Sequence, residues 1–271
     1  MFRKKIKIKL DSFECNLLIN GINEFRNMLL AEDLPTEDVD ELLLKLCEIE
    51  GIHWIRTLYT YPEHLTDKII KTVKENEKLV KYFDIPLQHI NGDILRRMNR
   101  KGNKDSIKAL IEKLRNEIED VTIRTTFITG FPGETEEQFA ELHEFIKETR
   151  FERLGCFAYS PEEDTPAAGF DNQIDEQTKQ DRAELIMGDQ MEISAKKNEE
   201  KIGKTFEVLV EGYDSYIKCY FGRTAADAPE VDGKIFFFAT RQLNFGEFVN
   251  VIVNDCIEYD LLGEMIDESA E

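Results

Sequence analysis

Four short segments carry residue types suited to binding or transforming a ligand: Tyr61-Pro62-Glu63, Gln88-His89, Gly130-Phe131-Pro132-Gly133-Glu134, and residues 159–164, which open on Tyr159-Ser160. Each follows a run of strand length, and parallel α/β folds bind their ligands at the carboxyl ends of strands. The Gln88 amide can hydrogen-bond a ribose or another amide. His89 suits either a structural hydrogen bond or proton transfer. The run from Gly130 to Thr135 turns a strand into a helix: its two glycines let backbone approach a ligand, and the helix start offers free N–H groups. Arg124 and Thr126, two residues apart, share one side of a strand. An arginine in an otherwise apolar strand needs a buried acceptor, either the carboxylate of a ligand or a structural Asp or Glu.

Other patterns carry less chemistry. Arg96, Arg97, Arg100, Lys101 and Lys104 read as a solvated helix end whose cations complement the helix dipole. The five cysteines (Cys15, Cys47, Cys156, Cys219 and Cys256) include no pair at two- or three-residue spacing. That argues against a disulfide framework and against a local zinc or iron–sulfur knuckle. There is no Ser–His–Asp arrangement, no Walker loop and no metal-ligand spacing, so the residues nominate no catalytic group and no metal ligand.

The elements that position these segments follow from hydrophobic spacing. Val39, Leu42, Leu43, Leu46 and Ile49 recur at helical intervals, with Thr36 to cap the helix and Gly51 to stop it. Residues 54–60 and 82–87 read as strands, separated by a helix that Thr66 caps and that buries Ile69, Ile70 and Val73. Asp105 is placed to cap a helix carrying Ile107, Leu110, Ile111, Leu114 and Ile118, ahead of a strand at 121–129. Thr135 and Gln138 form a capping-box pair for a helix burying Phe139, Leu142, Phe145 and Ile146, and 154–159 is a fourth strand. Strands alternating with helices every ~30 residues predict parallel βα units, hence an open doubly wound sheet or a barrel. Beyond Ser160 the pattern changes. Residues 175–202 read as one long helix with Gly188 as its weak point, and strands at 204–211, 216–221, 234–239, 247–254 and 258–265 predict a small closed barrel. The resulting division is an unassigned segment at 1–35, whose Lys5 to Leu10 alternation suits an edge strand, then 36–172, a connecting helix at 173–202 and a β-barrel at 203–271.

Composition limits the surroundings. With 41% hydrophobic and 33% charged residues, the 271-residue chain reads as soluble and globular. The longest apolar run, residues 235–239, is far short of a membrane span, and no apolar stretch of the export-signal kind follows Arg3, so the expected compartment is the cytoplasm. Thirty-five Lys and Arg against 55 Asp and Glu give a net charge of −20. This disfavours nonspecific contact with nucleic acid or anionic membrane; it suits a basic partner, or serves solubility alone.

Longer strings carry a family resemblance. They are Asp84-Ile85-Pro86-Leu87-Gln88-His89-Ile90 with Ile94-Leu95-Arg96-Arg97-Met98-Asn99-Arg100, then Arg124-Thr125-Thr126-Phe127-Ile128-Thr129-Gly130-Phe131-Pro132-Gly133-Glu134-Thr135. Phe157-Ala158-Tyr159-Ser160-Pro161-Glu162-Glu163 and Thr165-Pro166-Ala167 follow, and late in the chain stands Phe221-Gly222-Arg223-Thr224-Ala225-Ala226-Asp227-Ala228-Pro229-Glu230-Val231-Asp232-Gly233. Together they resemble the radical S-adenosylmethionine methylthiotransferases, most closely the RimO-type enzymes, which modify an aspartate of a small-subunit ribosomal protein. The strings keep the family's order over residues 40–265. The resemblance implies an α/β fold in which a partial (βα) radical-SAM-type barrel precedes a small all-β TRAM barrel that holds the macromolecular substrate.

The resemblance also implies S-adenosylmethionine and 4Fe–4S clusters as cofactors. It sets Gln88 and Arg124 on strand ends that face S-adenosylmethionine, Gly130 and Glu134 on the turn beside its adenine, and Tyr159 and Ser160 at the close of the last strand, near adenine or substrate. Family chains carry upstream a domain with three cysteines for an auxiliary cluster, the first barrel strands, and a Cys-x-x-x-Cys-x-x-Cys loop whose thiolates hold the radical-generating cluster. None is recognisable here. Reductive cleavage of S-adenosylmethionine needs an iron with an open site, so the resemblance implies a shortened chain, a gene fragment or a cluster-less variant, that does not generate the radical by itself. The parent reaction replaces a β-C–H of the aspartate with C–S–CH3. Relatives acting on tRNA need a basic final barrel, whereas residues 203–271 hold five Lys or Arg against 14 Asp or Glu, a net −9. Such a surface repels RNA backbone and attracts a basic ribosomal protein. A tRNA methylthiotransferase, and a non-catalytic acidic module that binds a basic ribosomal protein, are the alternatives.

Overall fold

The computed structural model describes residues 43–266. Segment 1–35 with its proposed edge strand, the Thr36 cap and Cys15 lie outside the described residues; residues 43–47 are helical and end ahead of Gly51. Four parallel strands follow in the order β1-β2-β3-β4: β1 (Ile55–Thr57), β2 (Leu79–Gln88), β3 (Thr122–Thr129) and β4 (Arg153–Ala158). Between them run α1 (Asp67–Glu75), the short α2 (Gly92–Arg97), α3 (Lys104–Glu117) and α4 (Glu136–Thr149). The helices start where side chains satisfy free N–H groups. Thr66 Oγ1 accepts from Ile69 N at 3.4 Å, and the Thr135–Gln138 box closes α4. The cap of α3 is Asn103 rather than Asp105. Asn103 Oδ1 accepts from Ser106 N at 3.0 Å while Asn103 N donates to Ser106 Oγ at 2.9 Å, a reciprocal pair that leaves Asp105 in the first turn.

Alternation along β3 divides the sheet into two faces. Ile123, Thr125, Phe127 and Thr129 are buried under the helices, in a core with Phe83, Ile85, Leu142, Phe145 and Phe151. Arg124, Thr126 and Ile128 look the other way and are half-buried. Asp84 lies opposite Arg124 in the β2–β3 register and shares that uncovered face.

The connecting helix α5 (Glu176–Glu199) is capped by Asp175 and passes Gly188 without a break. It leads to a closed barrel, β5-β6-β7-β9-β8, built from β5 (Thr205–Asp214), β6 (Cys219–Thr224), β7 (Ile235–Phe238), β8 (Phe248–Ile257) and β9 (Asp260–Met265). Five strands close as expected, but the second starts at Cys219 and not at 216. Asp214 Oδ1 accepts from Tyr216 N (2.8 Å) and Ile217 N (3.2 Å), and this Asx turn takes the residues that alternation had assigned to a strand. No helix among the described residues is long and apolar enough to cross a membrane.

The β6–β7 loop seats the barrel on the uncovered face of the sheet, near the amino ends of β3 and β4. Arg56 Nη2 donates to the carbonyl oxygens of Ala225 and Asp227, both at 2.9 Å, and its guanidinium lies 4.2 Å over the Tyr82 ring. Tyr82 OH donates to Asp232 Oδ2 at 2.6 Å. Arg124 Nη1 donates to Asp84 Oδ1 at 2.8 Å, and its Nε is 3.6 Å from Asp232 Oδ1. Arg153 pairs with Asp227, which also accepts from Thr224 N at 3.2 Å and Thr224 Oγ1 at 2.6 Å. Burial lowers the Arg56 pKa to about 10. Burial works against the Asp227 carboxylate as well, but Arg153 and Lys201 outweigh it and hold its pKa below the ordinary value.

Removing one member of a buried pair strands the other in a dry site. Asp227→Asn is therefore expected to lower the unfolding free energy by about 3–5 kcal/mol, read by urea titration. Lys201, beside this network, is held down to about 8 by burial first and then by Arg153, against an ordinary 10.5. Between those two values the unfolded chain binds more protons than the folded one, so this group makes stability rise with pH across that window. Lys201→Met is expected to flatten the rise in urea titrations at stepped pH.

Candidate functional site

Four of the six expected cofactor-binding residues meet at the carboxyl edge of the sheet. Gln88 ends β2 and is held at φ 68°, a left-handed conformation uncommon outside glycine. Gly130 follows β3, and Tyr159 and Ser160 follow β4; Tyr159 N donates to Thr129 O at 2.8 Å, which sets Tyr159 beside Gly130. The Tyr159 hydroxyl is buried with no hydrogen-bond partner among the described residues.

Glu134 lies beneath this edge, fully buried. Its Oε2 accepts from Gly130 N at 2.9 Å, and its Oε1 accepts from Arg182 Nη1 at 2.7 Å, so the carboxylate closes the turn from inside. Arg182 also pairs with Glu136. His89 is wholly buried, and its Nδ1 accepts from Asn91 N at 3.0 Å. That bond assigns the ring proton to Nε2, which stands 3.6 Å from Glu134 Oε2. The Nδ1 bond is structural, whereas Nε2 is buried without a hydrogen-bond partner among the described residues.

Arg124 lies elsewhere. It is the third residue of β3, far from the strand's carboxyl end, and its acceptor is the structural carboxylate of Asp84. Its expected place at a strand end is thus corrected. The reason is the demand of the uncovered face: opposite Asp84 and under Asp232, a cation balances two acids. Burial opposes the Arg124 charge, but these acidic neighbours, Asp84 first, lift its pKa above the ordinary value.

The glycine at 130 is required by packing as much as by any ligand. At φ 71°, a Cβ there would fall 2.2 Å from Lys179 Cγ, because α5 crosses directly behind the turn. Lys179 is 1% exposed, with its Nζ 2.5 Å from Glu176 Oε1 and 5.3 Å from the centre of the Tyr159 ring. The loop from β4 to α5 folds over the same turn: Asn172 O accepts from Gly133 N at 2.8 Å, and Phe131 sits edge-on between Tyr159 (5.3 Å) and Phe170 (6.1 Å). The basic cluster is mostly engaged locally. Arg96 pairs with Asp93 at 2.9 Å, Arg100 stacks 4.3 Å over Tyr61, and Arg97 lies against Phe131 and Phe170. Lys179 and Arg182 escaped sequence reading because they sit in an ordinary charged helix with nothing local to mark their burial.

The described cysteines occupy separate elements, Cys47 in the 43–47 helix, Cys156 in β4, Cys219 in β6 and Cys256 in β8. No group of three His, Cys, Asp or Glu among the described residues could hold a metal ion. Burial pushes the Cys156 thiol up to about 12, opposite to the shift a thiolate ligand needs. A cluster held by three thiolates does not fit the described residues.

The Radical SAM superfamily profile matches residues 26–146, and the TRAM domain profile matches 202–266. The chain is 45% identical to ribosomal protein uS12 methylthiotransferase RimO of Clostridium novyi, over 98% of this chain and 63% of that relative. Its counterpart in Caldicellulosiruptor saccharolyticus is 51% identical, over 91% and 53%. The chain carries a Radical SAM region and a TRAM domain, and over nearly its whole length it is similar to RimO-type enzymes. It spans roughly half to three fifths of the length of these curated relatives. The first profile starts inside the segment that spacing left unassigned. Among solved structures, the radical SAM enzyme coproporphyrinogen III oxidase (HemN) of Escherichia coli is similar at 20% identity and a TM-score of 0.49, over 59% of this chain and 38% of that one.

The crowding at Gly130 makes a defined test. Gly130→Ala is expected to destabilise the chain by about 1–3 kcal/mol through overpacking against Lys179, in addition to backbone strain. In a double-mutant cycle read by thermal melts, Lys179→Ala should recover part of that loss; simple additivity would contradict the contact.

Proposed function

We propose that this chain supplies the S-adenosylmethionine-binding face and the substrate grip of a RimO-type aspartate β-methylthiotransferase, working in the cytoplasm on a basic ribosomal protein of the small subunit. The observation that carries the reading is 45–51% identity to enzymes named for ribosomal protein uS12, over 91–98% of the chain, half-barrel and TRAM barrel together. When bound, S-adenosylmethionine supplies the hydrogen-abstracting 5′-deoxyadenosyl group and the transferred methyl. The carboxyl edge suits it: a Tyr159 hydroxyl buried without a hydrogen-bond partner among the described residues, the side-chain amide of Gln88 on its left-handed backbone, and the exposed Ser160 are polar groups at one end of the sheet. In this reading Gln88, Gly130, Tyr159 and Ser160 contact the cofactor. Glu134 is a positioning residue that fixes the Gly130 N–H, and Arg124 orients the sheet's foot.

The 4Fe–4S groups of the family do not fit these residues. The 271 residues contain no Cys-x-x-x-Cys-x-x-Cys loop, so by themselves they are not expected to cleave S-adenosylmethionine. This favours one second reading, in which the chain acts as an acidic module that binds a basic ribosomal protein without catalysis. The net −9 of residues 203–271 weighs against tRNA as the substrate.

Calorimetric titration of the purified chain separates these readings. Binding of S-adenosylmethionine that Tyr159→Phe or Gln88→Ala weakens about tenfold supports the cofactor face. Absence of such binding, with ribosomal protein uS12 still bound, leaves the non-catalytic module. A stronger affinity for tRNA than for uS12 overturns the protein-substrate reading. Anaerobic treatment with iron and sulfide is expected to leave the chain colourless.

A further inference from the structure

The outer wall of the TRAM barrel breaks the rule that solvated strand faces are polar. In β7, Ile235 and Phe237 fill the barrel core, so alternation turns Phe236 and Phe238 outward. Beside them stand Leu262 of β9, Ile257 at the end of β8 and Ile217 of the Asx turn, and these five line a groove of about 510 Å³. Phe238, Ile257 and Ile217 are 64%, 53% and 51% exposed, and the adjacent Tyr216 is 93% exposed. Isolated apolar residues on a surface are ordinary, but a contiguous set of this kind marks a contact surface.

The rim is acidic. Asp260 and Glu264 of β9 line the groove, the exposed Asp255 and Glu258 adjoin its lining residues Asn254 and Ile257 along the chain, and Asp214 accepts from Ile217 N in the turn. Two lysines lie near. Lys218 adjoins Ile217, and Lys234 is turned onto the Phe221 ring, its Nζ 4.8 Å from the centroid. An RNA backbone is repelled by such a rim. A second copy of this chain would bring the same acidic rim against it, on a body of net charge −20.

We infer that this groove docks an extended basic polypeptide segment, one in which apolar side chains alternate with Lys or Arg. The apolar side chains enter between Phe238, Ile257 and Ile217, and the cations meet the acids of the rim. This rests on the proposed reading that the partner is a basic protein, and it assigns different work to the two parts of the surface. The acids steer and the groove retains, because rim charges act mainly on association while buried apolar contacts act on dissociation.

The test uses the whole 271-residue chain and two fluorescent probes: ribosomal protein uS12, and a synthetic peptide alternating Leu and Lys. Phe238→Ser with Ile257→Ser is expected to weaken binding of both probes by about tenfold or more, chiefly through faster dissociation, with the salt dependence unchanged. Asp255→Asn with Glu264→Gln is expected to slow association and flatten the salt dependence. Both pairs lie on the surface, and circular dichroism melts verify that each variant is folded. If the parent chain binds uS12 and the folded groove variant binds it within about twofold as well, the groove assignment is overturned while the partner reading stands. If the parent ignores uS12 but binds the alternating peptide in a groove-dependent way, the partner reading fails and the groove stands. If neither probe binds the parent, or tRNA displaces both, the groove is not a polypeptide site.

Discussion

Arg56, Arg124 and Arg153 of the sheet and Asp227 and Asp232 of the barrel meet at one contact, in which Arg153 and Asp227 are buried and the other three half-buried. Charges there are costly to desolvate, and they persist only because each finds a partner at hydrogen-bond range. Arg56 reads the carbonyls of Ala225 and Asp227, so the β6–β7 loop is fixed by its backbone as well as by its acids. Tyr82 adds a neutral donor to Asp232, and burial together with that aspartate holds its phenol protonated, far above the ordinary range. This contact closes the foot of the uncovered sheet face with the TRAM loop. The opposite, carboxyl end carries Gln88, Gly130, Tyr159 and Ser160.

Helix α5 joins the two ends of that arrangement. At about 1.5 Å per residue its 24 residues span roughly 36 Å. Near its start, Lys179 fills the space behind Gly130 and Arg182 holds Glu134. Midway, Gln190 Nε2 donates to Phe151 O at 3.1 Å, and near its end Asn198 Nδ2 donates to Glu258 O at 3.2 Å, on the TRAM barrel. The turn that shapes the carboxyl edge and the TRAM barrel are therefore referenced to one element. A second brace runs on the other side, where Trp54 packs edge-on against Phe248 at 4.8 Å and His53 Nε2 lies 2.8 Å from Glu207.

Much of this was legible in the residues themselves, where local physics decides. The Thr135–Gln138 box, the Thr66 cap and the alternation of β3 are set within a few residues, and the structure forms them as the sequence predicts. Sequence and structure diverge where two local solutions compete or where the deciding partner is distant. Asn103 and Asp105 are both good caps; the Ser106 hydroxyl favours Asn103 by answering it. Asp214 turns the chain where alternation alone continued a strand. The acceptor of Arg124 was anticipated in kind, a carboxylate, but its position along the strand was not, since only the β2–β3 register sets Asp84 against it. Lys179 and Arg182 carry no local sign at all, because their burial is created by a turn some fifty residues earlier. The family strings were the most informative signal, and matches on both sides of α5 extend them.

The ionic seat between sheet and barrel makes the parallel sheet and the TRAM barrel one cooperative unit. Differential scanning calorimetry of the chain tests it most directly. A single transition, with calorimetric and van't Hoff enthalpies equal, is the predicted result. Two resolved transitions, with the barrel strands melting apart from the parallel sheet, would contradict it.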